Sequence, residues 1–188
     1  MNNGYTIIRE SNVVEVLRHF FHIEATRLKY AGIRDEMLSW SSLPDADLIR
    51  KTRNFAQKLN DINPTLIWTV GINNDHRHLS VRCWVLANIN LGCLYTKGIN
   101  PKMQSDLDLV HGNLKYFVDK GLAVKYNEFS KKSTLIEGEA KTLIGIGHAQ
   151  VGLEGHIELV DGAHRVVSML TNGARSSNAY IGVTHKKK

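Results

Sequence analysis

Residues 157–173 read Ile157-Glu158-Leu159-Val160-Asp161-Gly162-Ala163-His164-Arg165-Val166-Val167-Ser168-Met169-Leu170-Thr171-Asn172-Gly173, and the fold turns on how they are divided. The alternation from His156 to Val160 is that of a strand, and Asp161 ends it. Gly162 permits a tight turn or a close approach of the backbone to a ligand. Val166 to Leu170 makes a short helix, and Asn172-Gly173 is its stop. Ala179 to Val183 returns as a second strand. Residues 155–183 therefore form a strand, a turn, a helix and a strand.

That turn suits an anion. The first N–H groups of a helix have no internal partner, and its dipole favours negative charge there. Arg165 offers a forked contact to phosphate, and His164 a hydrogen bond or a proton near neutral pH. Asp161 is placed to orient the arginine, accept a proton or help hold a metal ion. A purely structural reading uses the same atoms: Asp161 caps the helix, His164 satisfies a carbonyl, and Arg165 pairs with Glu158 or Asp161.

Asp161-Gly162-Ala163-His164-Arg165, with Gly173 and the strand Tyr180-Ile181-Gly182-Val183, resembles the DGxHR signature of the ParB/sulfiredoxin superfamily. The resemblance covers only this C-terminal part. It implies phosphate binding by Gly162, Ala163, His164 and Arg165, with Asp161 and His164 as catalytic groups. It also implies ATP or another nucleotide as ligand, Mg²⁺ beside it, and a kinase-like phosphotransferase acting on a small hydroxyl-bearing acceptor. Ala163 stands where sulfiredoxins carry a cysteine, so sulfinate reduction by that route is not expected. Glu137, Glu139, Glu154 and Glu158 are candidate bases, among which the sequence does not choose.

Upstream, Asn12 is a helix cap with Glu15 reaching back to it, and Val13, Val16, Leu17, Phe20, Phe21 and Leu28 follow at helical spacing. Gly32 stops that helix. His19 and His22 are read as boundary residues rather than ligands. A second helix starts near Pro44 and Asp45, buries Leu48, Ile49, Phe55, Ala56 and Leu59, and ends at Asn63-Pro64. Thr65 to Gly71 reads as a buried strand, and Asn73-Asn74-Asp75 as a turn. His78 to Ile89 is either strand or buried helix. Ser105 to Lys120 reads as helix, and Leu143 to Gly147 is apolar and glycine-rich. The expected fold is α/β or α+β in one unit over 1–188: a helical layer over 1–62, then a mixed-sheet part over 63–188.

The chain has 188 residues, a formal net charge of +6, 43% apolar and 22% charged residues. These are globular values, so disorder is not expected. A sequence pI near 9.3 fits polyanion partners. No apolar run approaches a membrane span, and the start of the chain does not read as a secretory signal, so a cytoplasmic protein with no membrane partner is expected. Oligomeric state is not legible. Cys83 and Cys93 form no zinc pattern, and Asp75-His76-Arg77-His78 reads as a polar loop, so no metal ligands are assigned.

Two other functions compete. Basic residues from Arg9 to Lys58 suit a nucleic-acid-binding protein without catalysis, holding a phosphate backbone electrostatically. His78-Leu79-Ser80 resembles half of the paired signature of 2H phosphodiesterases. His156 is the best second half, though it lacks the matching hydroxyl.

Overall fold

Ala179, Tyr180, Ile181 and Gly182 are buried in succession, which requires cover on both faces of their strand. That strand lies inside a mixed sheet. The computed structural model describes residues 4–25, 32–58, 81–96, 114–119, 142–147 and 157–184. Within them the order is β1 (Tyr5–Ser11), α1 (Val13–Ala25), α2 (Arg34–Trp40), α3 (Asp45–Lys58) and β2 (Val81–Asn90). A 3-10 turn (Leu91–Cys93) follows, then β3 (Leu94–Thr96), α4 (Leu114–Asp119), β4 (Leu143–Gly147), β5 (Ile157–Asp161), α5 (Ala163–Thr171) and β6 (Ser176–Thr184).

The six described strands make one sheet in the order β1-β2-β6-β4-β5-β3. β6 runs antiparallel to β2 and parallel to β4, while β5 is antiparallel to β4 and parallel to β3. Period-2 alternation divides the side chains between the faces. Trp84, Ile144 and Tyr180 pack with Val16, Leu17, Phe20, Phe21, Met37, Trp40 and Leu48 from α1 to α3. Val85, Ala87, Ile89, Leu143, Ile157, Leu159, Ala179 and Ile181 pack with Val166 and Val167 of α5 and Leu114 of α4. The fold is thus mixed α/β, with a helix layer on each face.

Within the N-terminal segment expected to be helical, the described residues hold a strand, β1, ahead of α1, α2 and α3. β1 opens the chain and pairs with β2 at the sheet edge. Nothing in its pattern announces a strand, because the consecutive Ile7 and Ile8 are 56% and 53% exposed. A register shift between Ile7 and Arg9 breaks the alternation further. α1 begins as expected, with the Glu15 N–H donating to Asn12 Oδ1 at 3.0 Å. α3 starts at Asp45, and the Leu48 N–H donates to the Pro44 carbonyl at 2.9 Å. The short α2 was not expected; it buries Met37 and Trp40, the latter edge-on to Phe21 at 4.9 Å. The ambiguous segment before Ile89 is strand from Val81 onward.

The expected strand at 65–71, the turn at 73–75 and most of the 105–120 helix lie outside the described residues. Among the described residues, no helix is long and apolar enough to cross a membrane.

Candidate functional site

The strand, turn and helix expected at 157–173 are all present, and the turn is closely filled. Gly162 has φ 104°, a left-handed conformation that side chains rarely tolerate, and it precedes the first residue of α5. A Cβ there would lie 2.6 Å from Leu143 Cδ2 and 3.0 Å from Arg165 Nη2. The Arg165 head therefore lies against the turn backbone. Its Nη2 donates to Asp161 Oδ2 at 2.7 Å, and both side chains are only 8% exposed. Its Nη1 donates to the Thr142 carbonyl at 2.8 Å. Asp161 and Arg165 are thus brought together, and the fork of the arginine spans the Asp161 carboxylate and the Thr142 carbonyl. Ala163 and His164 open the first turn of α5, but their side chains lie outside those described. Glu158 is buried on β5. Glu137, Glu139, Glu154, His78, Ser80 and His156 lie outside the described residues.

A half-open cleft of about 550 Å³ lies on the α1 face of the sheet, within the usual range for small-ligand sites. One wall is a stripe of α1: Glu15, Arg18, His19 and His22. Positions three, four and seven apart share a helix face. The other wall is Arg9 of β1, Leu86 of β2, Asn178 and Tyr180 of β6, and Thr142 just before β4, with Ser41 after α2. Asn178 and Tyr180 are two apart on a strand and so share its α1-facing side.

The charges of the cleft are held in place. Both Arg9 Nη atoms donate to the Glu15 carboxylate. The same carboxylate accepts from Ser11 Oγ at 2.7 Å and from Tyr180 Oη at 3.0 Å. The hydrogen bonds from Arg9 and the two hydroxyls hold its pKa down at about 2, against the opposing effect of burial. Burial, and then the bond to Glu15, push the Tyr180 phenol up to about 12. Arg9 is held firmly protonated by Glu15. Arg18 reaches across to the α2–α3 turn, donating to the Ser41 carbonyl, to the Leu43 carbonyl at 2.7 Å and to Asp45 Oδ1 at 2.9 Å.

His19 Nε2 lies 2.9 Å from the Thr142 carbonyl, with its ring tilted against Tyr180 at 5.3 Å. A carbonyl only accepts, so Nε2 carries the proton. One oxygen thus receives His19 from the α1 layer and Arg165 from the α5 layer. The turn read from the sequence is joined to the cleft at that atom.

The cleft was not anticipated. Its signal is a polar stripe beside the apolar one on α1, in which His19 and His22 recur at helical spacing with Glu15 and Arg18. The β-strand contributors, distant in sequence, carry no such signal. No group of three or more His, Cys, Asp or Glu that could hold a metal ion occurs among the described residues. No family model matches the chain, and no curated protein or solved structure matches it.

Proposed function

We propose that this is a nucleotide phosphate-binding protein whose ligand sits in the cleft beside the Asp161–Arg165 turn, serving ATP-dependent phosphoryl transfer to a small hydroxyl-bearing acceptor. The observation that carries the reading is the convergence of Arg9, Arg18, His19 and His22 on one cleft of nucleotide-compatible size. Two guanidiniums line the cleft, each paired with a carboxylate, so what they offer an anion is charge-assisted hydrogen bonds rather than an excess of positive charge. Both guanidiniums are already fixed by carboxylates, which lowers the conformational cost of binding. His19 and His22 place two imidazoles on the cleft wall, a side-chain type suited to proton transfer. The resemblance of residues 161–165 to the ParB/sulfiredoxin turn supports the nucleotide and the transfer chemistry. In this arrangement the turn braces the cleft wall through Thr142.

For Mg²⁺, expected with a nucleotide, the described residues form no ligand set. Glu15 is the one carboxylate among the described lining residues, and it already accepts from Arg9, Ser11 and Tyr180. The described residues are therefore assigned to binding, orientation and proton movement only.

Thermal shift with ATP, ADP, CTP and GTP, each with and without Mg²⁺, tests the reading beside a short single-stranded oligonucleotide. A nucleotide at one hundred times its dissociation constant should stabilise the fold by about 2.7 kcal/mol. His22 and Asn178 are exposed, so alanine at either should spare the fold and weaken binding by about fivefold, the loss of one hydrogen bond. No shift with any nucleotide refutes the reading. A shift with the oligonucleotide alone replaces it with nucleic-acid binding.

A further inference from the structure

We infer that the mouth of the cleft reads the base of its nucleotide through two cross-strand amides, Asn88 of β2 and Asn178 of β6, and that the base it takes is adenine. Their role rests on the cleft being the nucleotide site.

On the α1-facing side of the sheet Leu86 lies opposite Tyr180, and Asn88 opposite Asn178 is the next pair along the same two strands. Successive pairs on one face are two residues apart, about 7 Å. Thr6 of β1 lies opposite Asn88 on its other side, so a hydroxyl and two amides make an uncharged row across three strands. Asn178 lines the cleft, and the row leads from it toward the edge strand β1. Thr6, Asn88 and Asn178 are exposed, whereas Tyr180 is buried and Leu86 half-buried. The helix layer that covers Tyr180 thus leaves the row open to solvent.

Asparagine is poorly suited to strands, because its short polar side chain competes for the backbone. The interior strands β2 and β6 nevertheless carry Asn88, Asn90 and Asn178. Asn90 has a local purpose, since its Oδ1 accepts from the Gly92 N–H at 2.8 Å and caps the 3-10 turn. Asn88 and Asn178 have no such purpose among the described hydrogen bonds. They bond to one another, Asn88 Nδ2 donating to Asn178 Oδ1 at 3.3 Å. A threonine pair would link the strands as well and fit the pleat better, so solubility and strand pairing do not select these two amides.

Because one amide donates to the other, an acceptor and a donor remain side by side, Asn88 Oδ1 and Asn178 Nδ2. Exchanging the roles of the two amides still leaves one of each. Adenine presents the complement, a donor at N6 beside an acceptor at N7, the edge that an asparagine amide suits. Guanine presents acceptors at both positions, so one of them would meet the amide acceptor with no hydrogen between them. With the phosphates drawn to Arg9 and Arg18, the base is the part of the ligand left for the row.

Isothermal titration calorimetry of the full-length protein with ATP and with GTP, which share sugar and phosphates, reads the base alone. ATP should bind tighter by at least about fivefold, the worth of one hydrogen bond. Asn88→Val and Asn178→Val should each bring that ratio to within about twofold of unity, with the melting temperature at or above wild type because valine suits a strand better. Equal affinities for ATP and GTP, or tighter binding of GTP, overturn the base recognition and leave the cleft as a phosphate site. A ratio unmoved in both variants overturns the role of the two amides. In ¹⁵N spectra of the wild type, the side-chain NH₂ signals of Asn88 and Asn178 should shift on addition of ATP, and unshifted signals overturn that role even if neither variant folds. If neither nucleotide binds, the proposed function fails and the role of the amides fails with it.

Discussion

Replacing Arg165 with methionine should cost this protein a large share of its stability. The ion pair with Asp161 spans 2.7 Å between side chains that are 8% exposed, so solvent cannot take over for the lost partner. Methionine roughly conserves volume, which keeps the cavity contribution small. What remains is an uncompensated buried carboxylate, a loss of about 3–5 kcal/mol in comparable sites. Whole-domain stability is typically only about 5–15 kcal/mol. The decisive assay is a double-mutant cycle by urea denaturation, using Asp161→Leu, Arg165→Met and the double variant, with midpoints compared at constant m-value. The double variant should be more stable than Arg165→Met alone, because no charge is then left buried. A coupling energy of at least about 2 kcal/mol is expected. A loss below about 1 kcal/mol for Arg165→Met, or strictly additive losses, would refute the reasoning and place the guanidinium in solvent.

Gly162→Ala should lower stability by about 2–4 kcal/mol, combining left-handed strain with overpacking against Leu143, and a melting temperature within two degrees of wild type would contradict this. The Glu15 carboxyl should titrate at about 2 rather than at its ordinary 4.5. Its folded value is depressed, so its stabilising effect is full above about 4.5 and disappears as pH falls toward about 2. Carbon-detected NMR of the carboxyl checks the midpoint. Arg9→Gln should raise it, and an unchanged midpoint would show that the two hydroxyls alone hold the carboxylate.

The turn was legible because its parts are local. A period-2 strand, a glycine and a helix stop fall within 17 consecutive residues, so short-range rules suffice. Asn12 and Pro44 marked their helix starts for the same reason. β1 was hidden because an edge strand buries little and its two isoleucines both stay exposed, leaving no alternation to detect. α2 spans only seven residues, about two turns, too short for a convincing stripe. The cleft was hidden for a different reason. Its walls come from α1 and from strands as far apart as Arg9 and Tyr180, and only the sheet order β1-β2-β6-β4 brings them together. The Glu15-Arg18-His19-His22 stripe lies within one helix, but its histidines read as boundary residues rather than ligands. Glu15 falls at the capping-box position of α1, where the pattern assigns it to the helix end. In the folded chain its carboxylate goes instead to Arg9, Ser11 and Tyr180, and becomes part of the cleft wall.

An ion pair is an expensive way to close a turn, since well-packed apolar side chains often do as well or better. Closure alone therefore does not account for Asp161 and Arg165. The carbonyl of Thr142 supplies the missing reason. It lies one residue ahead of the β4–β6 ladder, and beside the lone pair that receives His19 it has a second, which Arg165 meets from the α5 side. An apolar pair at 161 and 165 could fill the same space but could not donate to that oxygen. A lysine could donate, but not to Asp161 and Thr142 with one planar head. The requirement for two divergent donors on a rigid fork selects arginine, and the requirement to hold the fork selects the aspartate one helical turn earlier. On this argument the turn contributes to the cleft by geometry transmitted through one backbone oxygen.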